Sequence, residues 1–155
     1  MPVLLALSST KEHLSFFEDL FASDMEVVGC SDLDVARAAL DASDVAVIIA
    51  ECSATSSEGL QLLTEACQKK PEVVRIAYSR NEDLEAAAKA VNDAQVFWFV
   101  AGELEQKVFS EVVNEGLAQR ERVIALEKLL DIVEKQSGAV DEELLSMVRT
   151  LKQAS

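Results

Sequence analysis

The chain has 155 residues, half of them hydrophobic and about a quarter charged, enough for one domain with a sizeable core, with or without an appendage. Its net charge of −14, with 28 acidic and 14 basic residues and no Lys/Arg cluster, excludes nucleic acid and anionic membrane surfaces as partners. No apolar run approaches the ~20 residues of a membrane span, and the start MPVLLALSST lacks the basic flank of a signal peptide, so a cytoplasmic location is expected.

Val3–Leu7 is a continuous apolar run, read as a strand buried on both faces. Ser9 to Glu12 has the form of a capping box opening a helix with Leu14, Phe17, Leu20 and Phe21 on its inner face. His13, near that helix start, reads as an exposed surface residue without a partner. Glu26–Cys30 is a second strand. A helix from the Ser31–Asp34 turn to Ala42 follows, with Leu33, Ala36 and Leu40 inward.

Val45–Ile49 with Ala50 is the strongest strand signal, ending on the carboxylate Glu51 before the polar loop Cys52–Glu58. Gly59–Lys70 is helical, with Leu60, Leu63 and Cys67 at helix spacing, and Pro71 stops it. Val73–Tyr78 is a fourth strand with Ser79 at its end. Asn81 caps a helix carrying Leu84, Ala87, Ala88 and Val91, and Val96–Val100 is a fifth strand. Strands alternating with helices through short loops predict an α/β fold with a five-stranded parallel sheet. The flavodoxin/CheY-like order 2-1-3-4-5 fits five such units best.

Beyond Glu103 one long helix is expected to about Gln136. Leu104, Val108, Val112 and Leu117 would cover the sheet. Val123, Leu126, Leu130 and Val133 then step by 3, 4 and 3 as an a/d seam, widened by Ile124, Leu129 and Ile132. Gly138 ends this helix, and Asp141 caps a further short one with Val140 and Leu145 as a staple. The expected division is a domain over 1–118 and a helical extension, coiled coil or hairpin, over 119–155. So apolar an extension needs a cover: its own domain, a second copy or a different protein.

The three cysteines are scattered, with neither zinc nor disulfide spacing. Cys30 and Cys67 read as small core residues. Cys52 reads as partly exposed, without a basic neighbour in sequence to activate it.

The order of elements, and above all RIAYSRNEDLEAAAKAVNDAQVFWFV at Arg75–Val100, resembles the receiver domain of two-component response regulators. It is closest to receivers that precede HD-GYP cyclic-di-GMP phosphodiesterase domains, which read roughly R-I-L-L-T-G-x-x-D-L-E-A-A-x-x-A-I-N-x-G-x-I-Y-R-F-L. The likeness spans Met1 to about Ala118 and is only patterned outside that segment. It implies a signalling module that takes a phosphoryl group on an Asp eight residues before a Gly; here that position is Glu51, with Gly59 behind it. The family's Mg²⁺-binding acid pair falls on Ser8 and Ser9. The switch Ser/Thr is kept as Ser79 and the switch aromatic is Phe99. The Lys that precedes a cis-Pro is replaced by Gly102, with Glu103 after it. One carboxylate on a longer side chain does not replace three around an octahedral ion.

The expectation is therefore a degenerate pseudo-receiver: no enzyme, no metal and no cofactor, acting by protein–protein contact and dimerising through Val123, Leu126, Leu130 and Val133. Glu51 is a solvated strand end or, less simply, an imitation of the phosphorylated state. Trp98 is the interface candidate, with core packing as the competing reading. An atypical but phosphorylatable receiver, and a flavodoxin-like binder using the Ser8–Thr10 turn, are the alternatives.

Overall fold

The computed structural model describes residues 2–53, 57–80, 84–137, 149–151 and 153. Five strands, β1 (Val3–Leu7), β2 (Glu26–Cys30), β3 (Val45–Glu51), β4 (Val74–Ser79) and β5 (Trp98–Ala101), form one sheet of order β2-β1-β3-β4-β5. All four pairings are parallel, as the buried β-branched runs require. The helices are α1 (Lys11–Phe21), α2 (Leu33–Ala42), α3 (Glu58–Lys69), α4 (Leu84–Asp93) and α5 (Gln106–Ser137).

The sheet separates two apolar layers. Leu33, Ala36 and Leu40 of α2, Leu62, Leu63 and Ala66 of α3, and Ala90 of α4 cover one face. Phe17 and Phe21 of α1 with Phe109 and Val113 of α5 cover the other. On that second face Phe17, Tyr78 and Phe109 meet edge to face, with ring centroids 5.1 to 5.9 Å apart. Each fully buried ring of this kind is worth about 1.5–3 kcal/mol of transfer free energy, plus its edge contacts.

Several local expectations are corrected. No capping box forms at α1: its N-cap is Thr10, without a side-chain cap bond, because Ser9 Oγ turns to Glu51 and Ser8 Oγ accepts from the Thr10 N–H at 3.1 Å. The inner stripe of α1 is His13–Phe17–Phe21, and Leu14 and Leu20 pack only at its flanks. Among the described side chains of α4 the buried ones are Ala86 and Ala90, continued by Ala94, while Val91 is exposed. Small residues there let the helix lie close to the sheet. Phe109 and Val113 anchor α5, and Leu104, Val108, Val112 and Leu117 are only half-buried beside them. In α3, Leu62, Leu63 and Ala66 face in, and Cys67 is half-buried rather than core. The Asn81 cap, the Gly138 stop and the Asp141 cap with its staple lie outside the described residues.

Arg75 explains part of the segment that carries the family likeness. It is buried, and its guanidinium donates to the carbonyls of Pro71, Val73, Ala94 and Gln95 at 2.9 to 3.2 Å. One side chain thus ties the loop into β4 to the loop into β5. Burial pushes its pKa down from the ordinary value, and the four carbonyls supply the polar partners a buried cation needs.

Candidate functional site

The carboxyl ends of β1, β3 and β4 bring Ser8, Ser9, Glu51, Tyr78 and Ser79 to one end of the sheet, where open α/β folds place their ligands. The first turn of α1 adds His13, and this residue reorganises the site. It is 4% exposed. Its Nδ1 lies 3.0 Å from Glu51 Oε2, 3.0 Å from Tyr78 Oη and 3.1 Å from Ser8 Oγ. Ser9 Oγ donates to the other carboxylate oxygen, Oε1, at 3.3 Å. His13 is thus neither exposed nor without partners. Glu51, its side chain 26% exposed, is a partly solvated strand-end carboxylate held by His13 and Ser9. The sequence signal for His13 was its place four residues before Phe17, on the same helix face as the core aromatic.

His13 Nε2 is buried and has no hydrogen-bond partner among the described residues. With its proton on Nδ1, the ring donates to Glu51 and leaves only a lone pair at Nε2. That costs less than a buried, unpaired N–H. Burial, with the charge of Glu51 nearby, holds the Tyr78 phenol above its usual range, although a hydrogen bond from Ser8 acts the other way. Tyr78 is therefore a neutral hydroxyl in this cluster.

Cys52 is buried, contrary to the exposed reading. Its N–H donates to the Tyr78 carbonyl at 2.8 Å, and burial followed by the Glu51 charge pushes its thiol up to about 12. Both Cys52 and Tyr78 hold their protons more tightly folded than unfolded. Their stabilisation is present below the ordinary values, pH 9.0 for the thiol and 10.0 for the phenol, and fades as pH rises above each, by up to about 1.4 kcal/mol per pH unit per group. Stability measured by denaturant titration is expected to fall between pH 9 and 12, and Cys52→Ala to remove the earlier part of that fall.

Of the remaining positions, Ser79 and Gly102 lie at the same end of the sheet. Ser79 is buried at the end of β4, and its carbonyl accepts from the Gly102 N–H at 2.9 Å. Gly102 has φ +103°, with open space where a Cβ would stand. A lysine at this place would strain the backbone. Phe99 is half-buried against the core layer of α2, α3 and α4, and Trp98 is 54% exposed on the edge strand. Gly59 lies directly on β3: a Cβ there would come 2.0 Å from the Glu51 carbonyl oxygen.

These residues do not fit Mg²⁺. One carboxylate is present where three are needed, and both its oxygens already meet His13 and Ser9. Among the described residues no group of three or more His, Cys, Asp or Glu side chains is placed to hold a metal. A cavity of about 340 Å³ lies at the opposite end of the sheet, between β4 and α5, lined by Arg75, Phe97, Gly116, Arg120, Val123 and Ile124. It is far from the Ser8–Thr10 turn. No described helix is long and apolar enough to cross a membrane.

No protein-family model matches the sequence, and no curated protein matches it. Solved structures do. The signal receiver domain of an HD domain-containing protein from Pseudomonas fluorescens Pf-5 is 20% identical, over 78% of this chain and 98% of that one, with a TM-score of 0.73. An adenylate cyclase structure from Rhodopirellula baltica is 27% identical, over 83% and 96%, with a TM-score of 0.74. A CheY-like receiver domain protein from Methanospirillum hungatei JF-1 is 16% identical, over 79% and 98%, with a TM-score of 0.72. Sheet order, helix placement and these neighbours agree: the chain has the CheY-like fold of response-regulator receiver domains, carried on into a long C-terminal helix.

Proposed function

We propose that this chain is a receiver-like module that signals or scaffolds by protein–protein contact and is not phosphorylated at Glu51. The observation that carries the reading is the 3.0 Å contact of Glu51 Oε2 with His13 Nδ1. A phosphoacceptor must present a free carboxylate oxygen to the donor, beside a metal that neutralises the developing charge. Here that oxygen faces an imidazole, and the acid-pair positions are the hydroxyls of Ser8 and Ser9. The lysine position is Gly102. The module is non-enzymatic and cytoplasmic, works within two-component-type signalling, and has its functional boundary near residue 118. Ser79 and Phe99 are the switch-equivalent pair, and the exposed Trp98 is a contact for a partner or output domain. The C-terminal helices join two copies.

The test is incubation of the purified chain with Mg²⁺ and a small acyl phosphate, followed by intact-mass measurement. No species heavier by one phosphoryl group is expected, for this chain or for Glu51→Gln. A phosphorylated species present in the parent and absent in Glu51→Gln would overturn the reading.

A further inference from the structure

The cavity of about 340 Å³ between β4 and α5 lies at the other end of the sheet from Glu51 and His13, and its size falls within the ~300–1,000 Å³ of small-molecule sites. It opens where α5 leaves the sheet. At Gly116 the helix lies so close to β4 that a Cβ would stand 2.5 Å from Val74 Cγ1 and 3.3 Å from the Phe97 ring. Beyond Gly116 no described residue of α5 is buried. Arg120, Val123 and Glu127 follow Gly116 at helix spacing, on the face turned to the entry of β4, and they form the outer wall. Of the seam that periodicity singles out, Val123, Leu126, Leu130 and Val133 are all half-buried, and Val123 faces this cavity.

The lining sets the chemistry of a ligand. Val74, Phe97, Val123 and Ile124 suit an apolar body. Arg120 suits an anion. Its Nε is buried and has no hydrogen-bond partner among the described residues, and among them it forms no ion pair. A buried guanidinium N–H without an acceptor is costly, and the group keeps its charge at any ordinary pH. Arg75, the other cation of the lining, is already taken up by four carbonyls. With one guanidinium left to pair, a single carboxylate fits. A phosphate dianion needs more donors than this. The helix passes here in mid-course and offers no free backbone N–H, and the exposed Glu72 and Glu127 oppose a second negative charge.

We propose that this cavity binds a small aryl or branched-alkyl monocarboxylate, with its apolar body against Phe97, Val123 and Ile124 and its carboxylate accepting from Arg120 Nε. Because α5 forms one wall and β4 the other, the ligand ties the distal helix to the sheet. The site stands whether or not Glu51 takes a phosphoryl group, so it can fail without touching that reading.

The test is an amide NMR titration of the full chain with phenylacetate and indole-3-acetate, beside the matching neutral amides and inorganic phosphate. The two carboxylates are expected to bind with sub-millimolar dissociation constants, and the amides about 10-fold more weakly. Arg120→Gln, uncharged and helix-compatible, is expected to lose about 10-fold for the carboxylates and nothing for the amides. Cys67 gives a readout on the parent itself, since it lines the cavity and alone of the three cysteines is not buried. Bound carboxylate is expected to slow its reaction with N-ethylmaleimide several-fold. No shift with either carboxylate up to about 10 mM overturns the site, as does binding that leaves Cys67 labelling unchanged. Phosphate bound as tightly as the carboxylates, or carboxylates bound equally well by a folded Arg120→Gln, overturns the ligand class.

Discussion

Replacing His13 with alanine is expected to lower the stability of the chain by about 3 kcal/mol, read from urea unfolding or as a drop in melting temperature of roughly 6–12 °C. The imidazole is buried, and three oxygen atoms converge on its Nδ1. Removing it leaves a ring-sized void beside Phe17 and Tyr78, and void terms alone cost about 2–4 kcal/mol for residues of this size. The fully buried Tyr78 hydroxyl also loses a partner, although Ser8 stays within its reach. Glu51→Ala should cost less, about 1 kcal/mol, because its carboxylate is part solvated and His13 keeps Ser8 and Tyr78. The double variant separates packing from pairing: it should fall short of the sum of the singles by about 1 kcal/mol. A His13→Ala chain within 0.5 kcal/mol of the parent, the range of ordinary surface substitutions, would show that the imidazole is no structural centre.

Gly59→Ala is expected to be the more informative glycine substitution, with a net loss of about 2–3 kcal/mol. Alanine is ordinarily favoured over glycine inside a helix by about 1 kcal/mol, so propensity alone predicts a gain. Here the new Cβ would stand 2.0 Å from the Glu51 carbonyl oxygen and 2.8 Å from its carbon. Both are main-chain atoms of a central strand, so neither can rotate away, and α3 must lift from the end of β3. That lift also moves the backbone that aims Glu51 at His13. Gly59→Ala should therefore shift the His13 ring resonances in an NMR spectrum as well as the unfolding midpoint. A stabilised variant with unmoved His13 signals would mean that the first turn of α3 is looser than its geometry implies. Gly102→Ala makes the useful comparison: its Cβ meets nothing, so only the strain of φ +103° remains, about 1–2 kcal/mol.

The sheet was legible because every strand is marked by the same local fact, a short apolar run ending in a polar turn. Five such runs between helices leave few ways to wind a parallel sheet. The positions of Glu51 and Gly59 were legible for a related reason, since strand end and helix start are both punctuated by residue type. The His13 contact was not. Histidine at the start of a helix carries no sign of its own, and its burial depends on how far α1 rotates on the sheet. That rotation is set by Phe17 and Phe21, whose stripe a histidine four residues earlier joins. The α4 stripe was missed for a complementary reason. Hydropathy favours Val91, whereas close packing on the sheet selects alanines. In α5 the pattern of apolar residues is plain, but two overlapping stripes on one helix cannot be assigned to partners until the sheet fixes which side of Phe109 and Val113 faces in.

The φ of +103° at Gly102 has a consequence for anyone who would rebuild phosphoryl chemistry on this scaffold. Putting lysine there is not a change of side chain alone, because the peptide must first leave a conformation that glycine adopts freely and lysine resists. The same holds at the other end of the site, where carboxylates at Ser8 and Ser9 would meet Glu51 before any cation arrived, unless His13 had already been taken away. Each of these substitutions made alone is expected to leave the chain less stable than it is now.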